Sequence, residues 1–343
     1  DPPKKSAAGA VRRLSGYGVK VKILTGDSDV VTRYVCGALG TPVAGVLTGS
    51  RIAQLDDAAL RLEAEAADLF CRVNPMQKNR VILALKANGH VVGYLGDGIN
   101  DAPALHNADV GISVDKAVDV AREAADLILL RQNLAVLAAG VAEGRRTFAN
   151  VRKYIMMGTS SNFGNMISMA AAALFLPFLP MQPVQILLNN ILYDLSQTAI
   201  PLDAVDRKEI LAPQQWDIRS LRNFMLVMGP VSSLFDFLTF YLLLAVFHAD
   251  RQLFQTGWFI ESLTTQVLVI FVIRTTGNTF LGRPHPLLVI SSLFIVGLAL
   301  AIPHTAVGVF FGFVPLPSWF FVMLGLLTLA YLALAQCVKM LFY

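Results

Sequence analysis

The 343 residues are 55% hydrophobic and only 15% charged, with a positive mean hydropathy, which excludes a single ordinary soluble domain. A formal charge of +4 gives no reason to expect a nucleic-acid partner, and Cys36, Cys71 and Cys337, odd in number and without a CxxC spacing, argue against a disulfide framework or a cysteine metal site. The apolarity is uneven: residues 1 to about 153 carry most of the charge and read as soluble, and the remainder reads as membrane.

The chain opens on Asp1-Pro2-Pro3-Lys4 with no initiating Met, and is read as a fragment or processed remainder of a longer protein. Val19 to Leu24 alternates and is β-rich, which predicts a strand ended by Thr25-Gly26-Asp27. Asp27 or Ser28 can cap the helix that follows, whose apolar stripe is Val30, Val31, Tyr34, Val35 and Leu39. Leu69 to Val73 predicts a second strand, and Pro75 suits the first turn of a helix over Met76 to Ala87. His90 to Leu95 predicts a third strand, followed by a short strand over Asp109 to Ile112, a helix over Ala117 to Ala125, and the apolar run Leu127 to Leu130. Strands alternating with helices imply an α/β fold with a parallel, doubly wound sheet, in which ligands sit at the carboxyl ends of the strands.

The stretch Gly96-Asp97-Gly98-Ile99-Asn100-Asp101-Ala102-Pro103 lies at such an end. Asp97 and Asp101 emerge at the turn, and Gly98 lets the backbone approach a ligand. Two carboxylates at a strand tip make a hard oxygen site suited to Mg²⁺. Thr25 and Lys78 fall at or just beyond other strand ends. A hydroxyl, an ammonium and a Mg²⁺ site are what a moving phosphoryl group needs for its charge and oxygens.

Thr25-Gly26-Asp27, Asn74-Pro75-Met76-Gln77-Lys78 and Gly96 to Pro103, in that order, resemble the phosphorylation domain of the P-type ATPases, and Asp1 to Lys4 resembles the point where that domain resumes after its nucleotide-binding insertion. The resemblance implies a haloacid-dehalogenase-like, Rossmann-like fold over residues 1–132, cut short at its amino-terminal side. It assigns Thr25, Gly26, Asp27, Lys78 and Asn100 to phosphoryl handling and Asp97 and Asp101 to the catalytic Mg²⁺, with ATP as substrate bound mainly elsewhere. The family's aspartate nucleophile in Asp-Lys-Thr-Gly-Thr does not occur in this chain, and Asp115-Lys116 is followed by Ala117-Val118 and does not fit. The family's Thr-Gly-Glu motif, a nucleotide-binding domain and four preceding membrane helices are also outside this sequence. The amino-terminal part of the same pump is therefore an expected partner.

Residues 133–154 predict a helical stalk ending in Arg145, Arg146, Arg152 and Lys153, a basic cytoplasmic flank. Residues 155–343 predict an all-α domain of six transmembrane helices, at about 155–176, 183–202, 224–247, 257–273, 286–303 and 318–338. Arg207, Lys208, Arg219 and Arg222, then Arg274 and Arg283, then Lys339 put alternate linkers and the carboxyl terminus in the cytoplasm, with the soluble part. Polar side chains inside a bilayer need a reason. Asn162 and Asn165 share one helix face, and Asn190 and Asp194 share another, near mid-depth, which makes them candidate ligands of a transported cation. Asp236, Glu261 and Gln197 are secondary candidates.

Asn190-Ile191-Leu192-Tyr193-Asp194 is similar to the Asn-x-x-x-Asp of the family's sixth helix, and Ser160 to Asn165, Phe175 to Pro180 and Tyr193 to Gln197 resemble the bacterial magnesium-importing members. That resemblance implies a Mg²⁺ importer of the bacterial inner membrane, with the lipid bilayer and transported Mg²⁺ as partners. The competing readings are a pump for another cation such as Ca²⁺, a catalytically dead membrane remnant or regulatory fragment, and a phosphatase fused to a membrane anchor.

Overall fold

The computed structural model describes residues 7–39, 43–131, 133–275, 277 and 282–342; the opening Asp1 to Lys4 motif lies outside them. The chain divides into two compact units, Asp1–Gly144 with Leu211–Pro213, and Arg145–Ile210 with Gln214–Tyr343.

The first unit is α/β. Its elements run α1 (Ala7–Gly16), β1 (Ile23–Leu24), α2 (Asp29–Leu39), β2 (Val46–Thr48), α3 (Gly49–Gln54), α4 (Asp57–Ala66), β3 (Leu69–Cys71) and α5 (Pro75–Ala87). They continue with β4 (Gly93–Leu95), a 3₁₀ turn at Ile99–Asp101, α6 (Ala102–Asn107), β5 (Val110–Val114), α7 (Asp119–Glu123) and β6 (Leu127–Leu129). All pairings are parallel, as the alternation of strands and helices implies, but they make two three-stranded sheets, β1-β3-β2 and β4-β5-β6, where one doubly wound sheet was expected. Among the described residues β1 and β4 pair on one side only, so neither sheet reaches the other through backbone hydrogen bonds. Side chains bridge them instead: Leu24 and Val92 pack against both apolar cores, the one built on Ile52, Leu60, Phe70 and Val81 and the one built on Ile82, Tyr94, Ala104 and Leu105. Strand β2 was not anticipated, because three residues amid variable sequence carry no periodicity.

The second unit is all-α: the long helix α8 (Leu134–Phe175), which begins in the first unit, α9 (Pro183–Gln197), α10 (Arg207–Leu211), α11 (Ile218–Ala245), α12 (Arg251–Leu268), α13 (Ile270–Ile273), α14 (Pro286–Ala301), α15 (Ala306–Phe310) and α16 (Ser318–Phe342). Among the described residues four spans are long and apolar enough to cross a membrane: Ile218–Ala245, Arg251–Ile273, Pro286–His304 and Ser318–Phe342. Helices also form at the first two expected positions. The run Ser160 to Asn165 dilutes the apolarity of α8, and α9 has 15 residues where about 20 are needed to span hydrocarbon unaided.

Helix α12 is the axis of this unit. Every residue from Phe254 to Val267 is buried, and α9, α11, α14 and α16 all pack on it. Helix α8 meets α11 where two glycines face each other. A Cβ on Gly164 would stand 2.9 Å from the Gly229 carbonyl oxygen, and Ser233 Oγ donates to the Gly164 carbonyl at 2.9 Å. Small residues at such a crossing let helix backbones approach closely. Beyond α13, Asp203 accepts from Arg274 Nε at 3.0 Å and Nη2 at 3.2 Å, and from the His285 N–H at 3.1 Å. Lys339 Nζ donates to the Val272 and Gly277 carbonyls at 2.8 and 2.7 Å. Arg274 and Lys339, expected as flanking charges, are thus buried fasteners.

Candidate functional site

In the α/β unit the residues singled out by sequence cluster at the carboxyl ends of β1, β3 and β4. Asn74 caps α5: its side chain accepts from the Gln77 N–H at 2.9 Å while Gln77 Oε1 accepts from the Asn74 N–H at 3.0 Å. This reciprocal cap, with Pro75 at the first helical position, fixes the first turn and with it Lys78. Lys78 follows a strand of the first sheet, yet its Nζ donates to Asp101 Oδ1, beyond β4 of the second sheet, at 2.7 Å. The pair therefore fastens the two sheets together at the end where ligands bind.

Asp101 is 8% exposed and fully engaged. Tyr94 OH donates to Oδ1 at 2.7 Å, and the Gly98 N–H donates to Oδ2 at 3.3 Å. Burial alone would raise its pKa, but hydrogen bonds from Lys78, Tyr94 and Gly98 outweigh burial and hold the carboxyl below its ordinary range. Burial, and then the hydrogen bond to Asp101, push the Tyr94 hydroxyl well above its usual value. Gly96 is obligatory here: a Cβ would stand 2.6 Å from that of Asp101. Asp97 and Asn100 are exposed at the same turn, and the Asp97 side chain makes no hydrogen bond or ion pair within the described residues. Thr25 is half-buried; its Oγ1 accepts from the Asp27 N–H at 3.1 Å, closing the Thr25-Gly26-Asp27 turn. Val73 N–H donates to the Thr25 carbonyl, and Arg72, at a left-handed φ of 53°, donates to that of Asp27, so the turn after β1 is tied to the start of α5.

Among the described residues no group of three or more His, Cys, Asp or Glu could hold a metal ion. The donor set present is one exposed carboxylate, Asp97, beside an engaged one, Asp101. This suits Mg²⁺, which is commonly held by one or two carboxylates with waters and phosphate oxygens.

In the helical unit, α8 and α9 face each other across a cavity of about 280 Å³ lined by Asn162, Asn165, Asn189 and Asn190, with methionines and Trp258. Three of the four cation ligands expected from sequence therefore converge. Asp194 lies one turn from Asn190 on the exposed side of α9 and is not part of the lining. Asn189 was overlooked, although it is 2% exposed and its Oδ1 has no hydrogen-bond partner among the described residues. Asp236 and Glu261 are buried away from that lining. Tyr94 was also overlooked; the only signal was a hydroxyl in an otherwise apolar strand, which needs a partner once buried.

Residues 1–109 match the family described as haloacid dehalogenase-like hydrolase, and residues 178–341 match cation transporting ATPase, C-terminus. Over 99% of its length the chain is 48% identical to the magnesium-transporting ATPase, P-type 1, of Salmonella typhimurium strain 14028s. It is 49% identical to the protein of the same name from Escherichia coli K12 and 45% identical to another from Salmonella typhimurium LT2. The chain spans 38% of the length of each of these relatives.

Proposed function

Because the chain belongs to the P-type cation-transporting ATPases, we propose that it is the carboxyl-terminal part of an ATP-driven Mg²⁺ transporter that carries the ion into the bacterial cytoplasm across the inner membrane. The observation that carries this reading is the asparagine cavity between α8 and α9. Asn162 and Asn190 are exposed on helices that this reading places in the bilayer, where amide oxygens are costly unless they bind something, and Mg²⁺ accepts amide, water and carboxylate oxygens. Asn162, Asn165 and Asn190 supply amides. Asp194, one turn along α9 and outside the lining, borders the site with a carboxylate that would itself be costly in hydrocarbon without a cation or partner.

The strand-tip cluster supports the phosphoryl chemistry. Thr25 and Lys78 hold phosphoryl oxygens, with Gly26 and Asp27 shaping the turn and Asn100 adding an amide. Asp97 holds the catalytic Mg²⁺, and Asp101 keeps Lys78 aimed while bordering the metal. When bound, the ion neutralises charge on the transferring group. The acceptor aspartate belongs to a strand upstream of this chain, and ATP is bound mainly by upstream residues. The edges of β1 and β4, unpaired among the described residues, offer such a strand a place between the two sheets. The arrangement of basic linkers supports a cytoplasmic location for the α/β unit and the carboxyl terminus. The domain division at 1–132, 133–154 and 155–343, with six spans, belongs to the same proposal.

The test is transport by the protein joined to its upstream part and reconstituted in liposomes. Mg²⁺ should stimulate ATP hydrolysis and enter the compartment facing the α/β unit, and Asn165→Ala and Asn190→Ala should each lose that stimulation. Equal stimulation by Ca²⁺, or normal Mg²⁺ uptake by both variants, would refute it.

A further inference from the structure

Behind the asparagine cavity, two carboxyl groups face each other in the core of the helical unit. Asp236 of α11 is 2% exposed and Glu261 of α12 is 1% exposed; Trp258, one turn before Glu261 on α12, donates to Asp236, and each carboxyl acts directly on the other. Their surroundings are unequal. Asp236 accepts from Trp258 Nε1–H at 2.7 Å and from Ser168 Oγ–H at 2.5 Å, one donor for each oxygen, which is how an ionised carboxylate is satisfied. Among the described residues Glu261 Oε2 has no hydrogen-bond partner. The titratable groups that act on the pair from neighbouring helices are Tyr331 of α16, which feels both carboxyls, and Tyr193 of α9, which reaches Tyr331. Among the described residues no basic side chain acts on either carboxyl.

Two adjacent carboxylates in a dry interior cannot both be ionised without a counter-charge. A proton between them removes one charge and supplies the donor that the contact requires. We infer that Asp236 and Glu261 form a proton-binding site inside the membrane unit, with the proton held on Glu261 and donated to Asp236.

The site is wired to the cavity by two contacts. The Trp258 indole lines the cavity while its N–H holds Asp236. Ser262, next to Glu261, donates to Asn165 Oδ1 at 3.3 Å, and Gln266 donates in turn to Ser262 Oγ. A divalent cation in the cavity favours the ionised form of a nearby carboxyl. Filling the cavity therefore releases the Glu261 proton to water. This coupling rests on the reading of the cavity as the cation site; the proton site does not.

The experiment is infrared spectroscopy of the chain in lipid nanodiscs at neutral pH, comparing H₂O with D₂O. The wild type should show a deuterium-sensitive carbonyl band of a neutral carboxylic acid. Glu261→Gln should lose the band, Asp236→Asn should shift it, and Asp194→Asn should leave it in place. Absence of the band from the wild type, or its loss in Asp194→Asn with persistence in Glu261→Gln, overturns the proton site without reference to any variant's cation binding. Titration with MgCl₂ then tests the coupling. The wild-type band should fall as Mg²⁺ binds, and Asn190→Ala should keep the band but lose the response. A response that persists in Asn190→Ala places Mg²⁺ elsewhere and overturns the coupling. A wild type that keeps the band but binds no Mg²⁺ by calorimetry sustains the proton site and refutes the cavity as cation site.

Discussion

Replacing Lys78 by Met removes the ammonium that joins the two sheets and leaves Asp101 buried. The two side chains are 15% and 12% exposed, so solvent screens their 2.7 Å contact only weakly. At an effective dielectric of about 20 the attraction is about 6 kcal/mol, most of it offset by the desolvation of both charges. Breaking a buried pair by removing one partner typically costs about 3–5 kcal/mol. Here Tyr94 OH and the Gly98 N–H remain on the carboxylate, so the expected loss is at the lower end, about 3 kcal/mol. Asp101→Asn keeps an acceptor for Tyr94 and lets Lys78 turn to water, so it should cost less, about 1–2 kcal/mol. The double variant should fall short of the sum by about 2 kcal/mol. Hydrogen exchange of the β4 and α6 amides in the detergent-solubilised chain reads these local opening energies. The sign with pH follows from the lowered Asp101 pKa. Its contribution is fully present above the ordinary Asp value of 3.8 and is lost as pH falls through the still lower folded value. Lys78→Met should therefore move the acid loss to higher pH. Single-variant costs that add to within about 0.5 kcal/mol, or an unmoved acid limb, would refute the fastening role of the pair.

Four further outcomes are expected. In the protein joined to its upstream part, Asp97→Asn should abolish phosphorylation from ATP by removing the metal-binding carboxylate; phosphoenzyme at the wild-type level in a radiolabel assay would remove that assignment. Asp194→Asn should abolish Mg²⁺-stimulated ATP hydrolysis while phosphorylation from inorganic phosphate survives; near-normal Mg²⁺ affinity would make Asp194 a packing residue. Gly164→Ala drives a methyl to 2.9 Å from a backbone carbonyl, so it should cost about 1–3 kcal/mol in the thermal stability of the helical unit, and an unchanged melting temperature would contradict the close crossing. Arg274→Met strips two hydrogen bonds from Asp203, which is 1% exposed, and should cost about 3 kcal/mol in the same assay, with rescue by Asp203→Asn in the double variant.

Much of the strand-tip cluster was legible from short segments because its parts are local. Asn74, Pro75 and Gln77 encode a cap that any helix start of this sequence would form, and Gly96 to Asp101 encode a turn at a strand end. The alternation of strands and helices was enough for a parallel α/β unit, and long apolar stretches were enough for four of the spans. The two-sheet division was not legible, since it depends on which strand edges find partners. Nor was the short β2, which three residues cannot announce.

Spacing alone put Asn162 with Asn165 and Asn190 with Asp194, since residues three or four apart share a helix face whatever the helix packs against. Which face turns inward is a different matter. It is decided by contacts between residues remote in sequence: the Gly164–Gly229 crossing and Ser262 reaching Asn165 across 97 positions for α8, and Gln185 donating to the Phe311 carbonyl and Ser291 to that of Ser196 for α9. Those contacts turn Asn189 into the cavity, leave Asp194 outside it, and bring Asp236 to Glu261 through Trp258. A helix's own sequence sets its periodicity; its rotation about its axis is set by close packing against neighbours, which only the tertiary structure supplies.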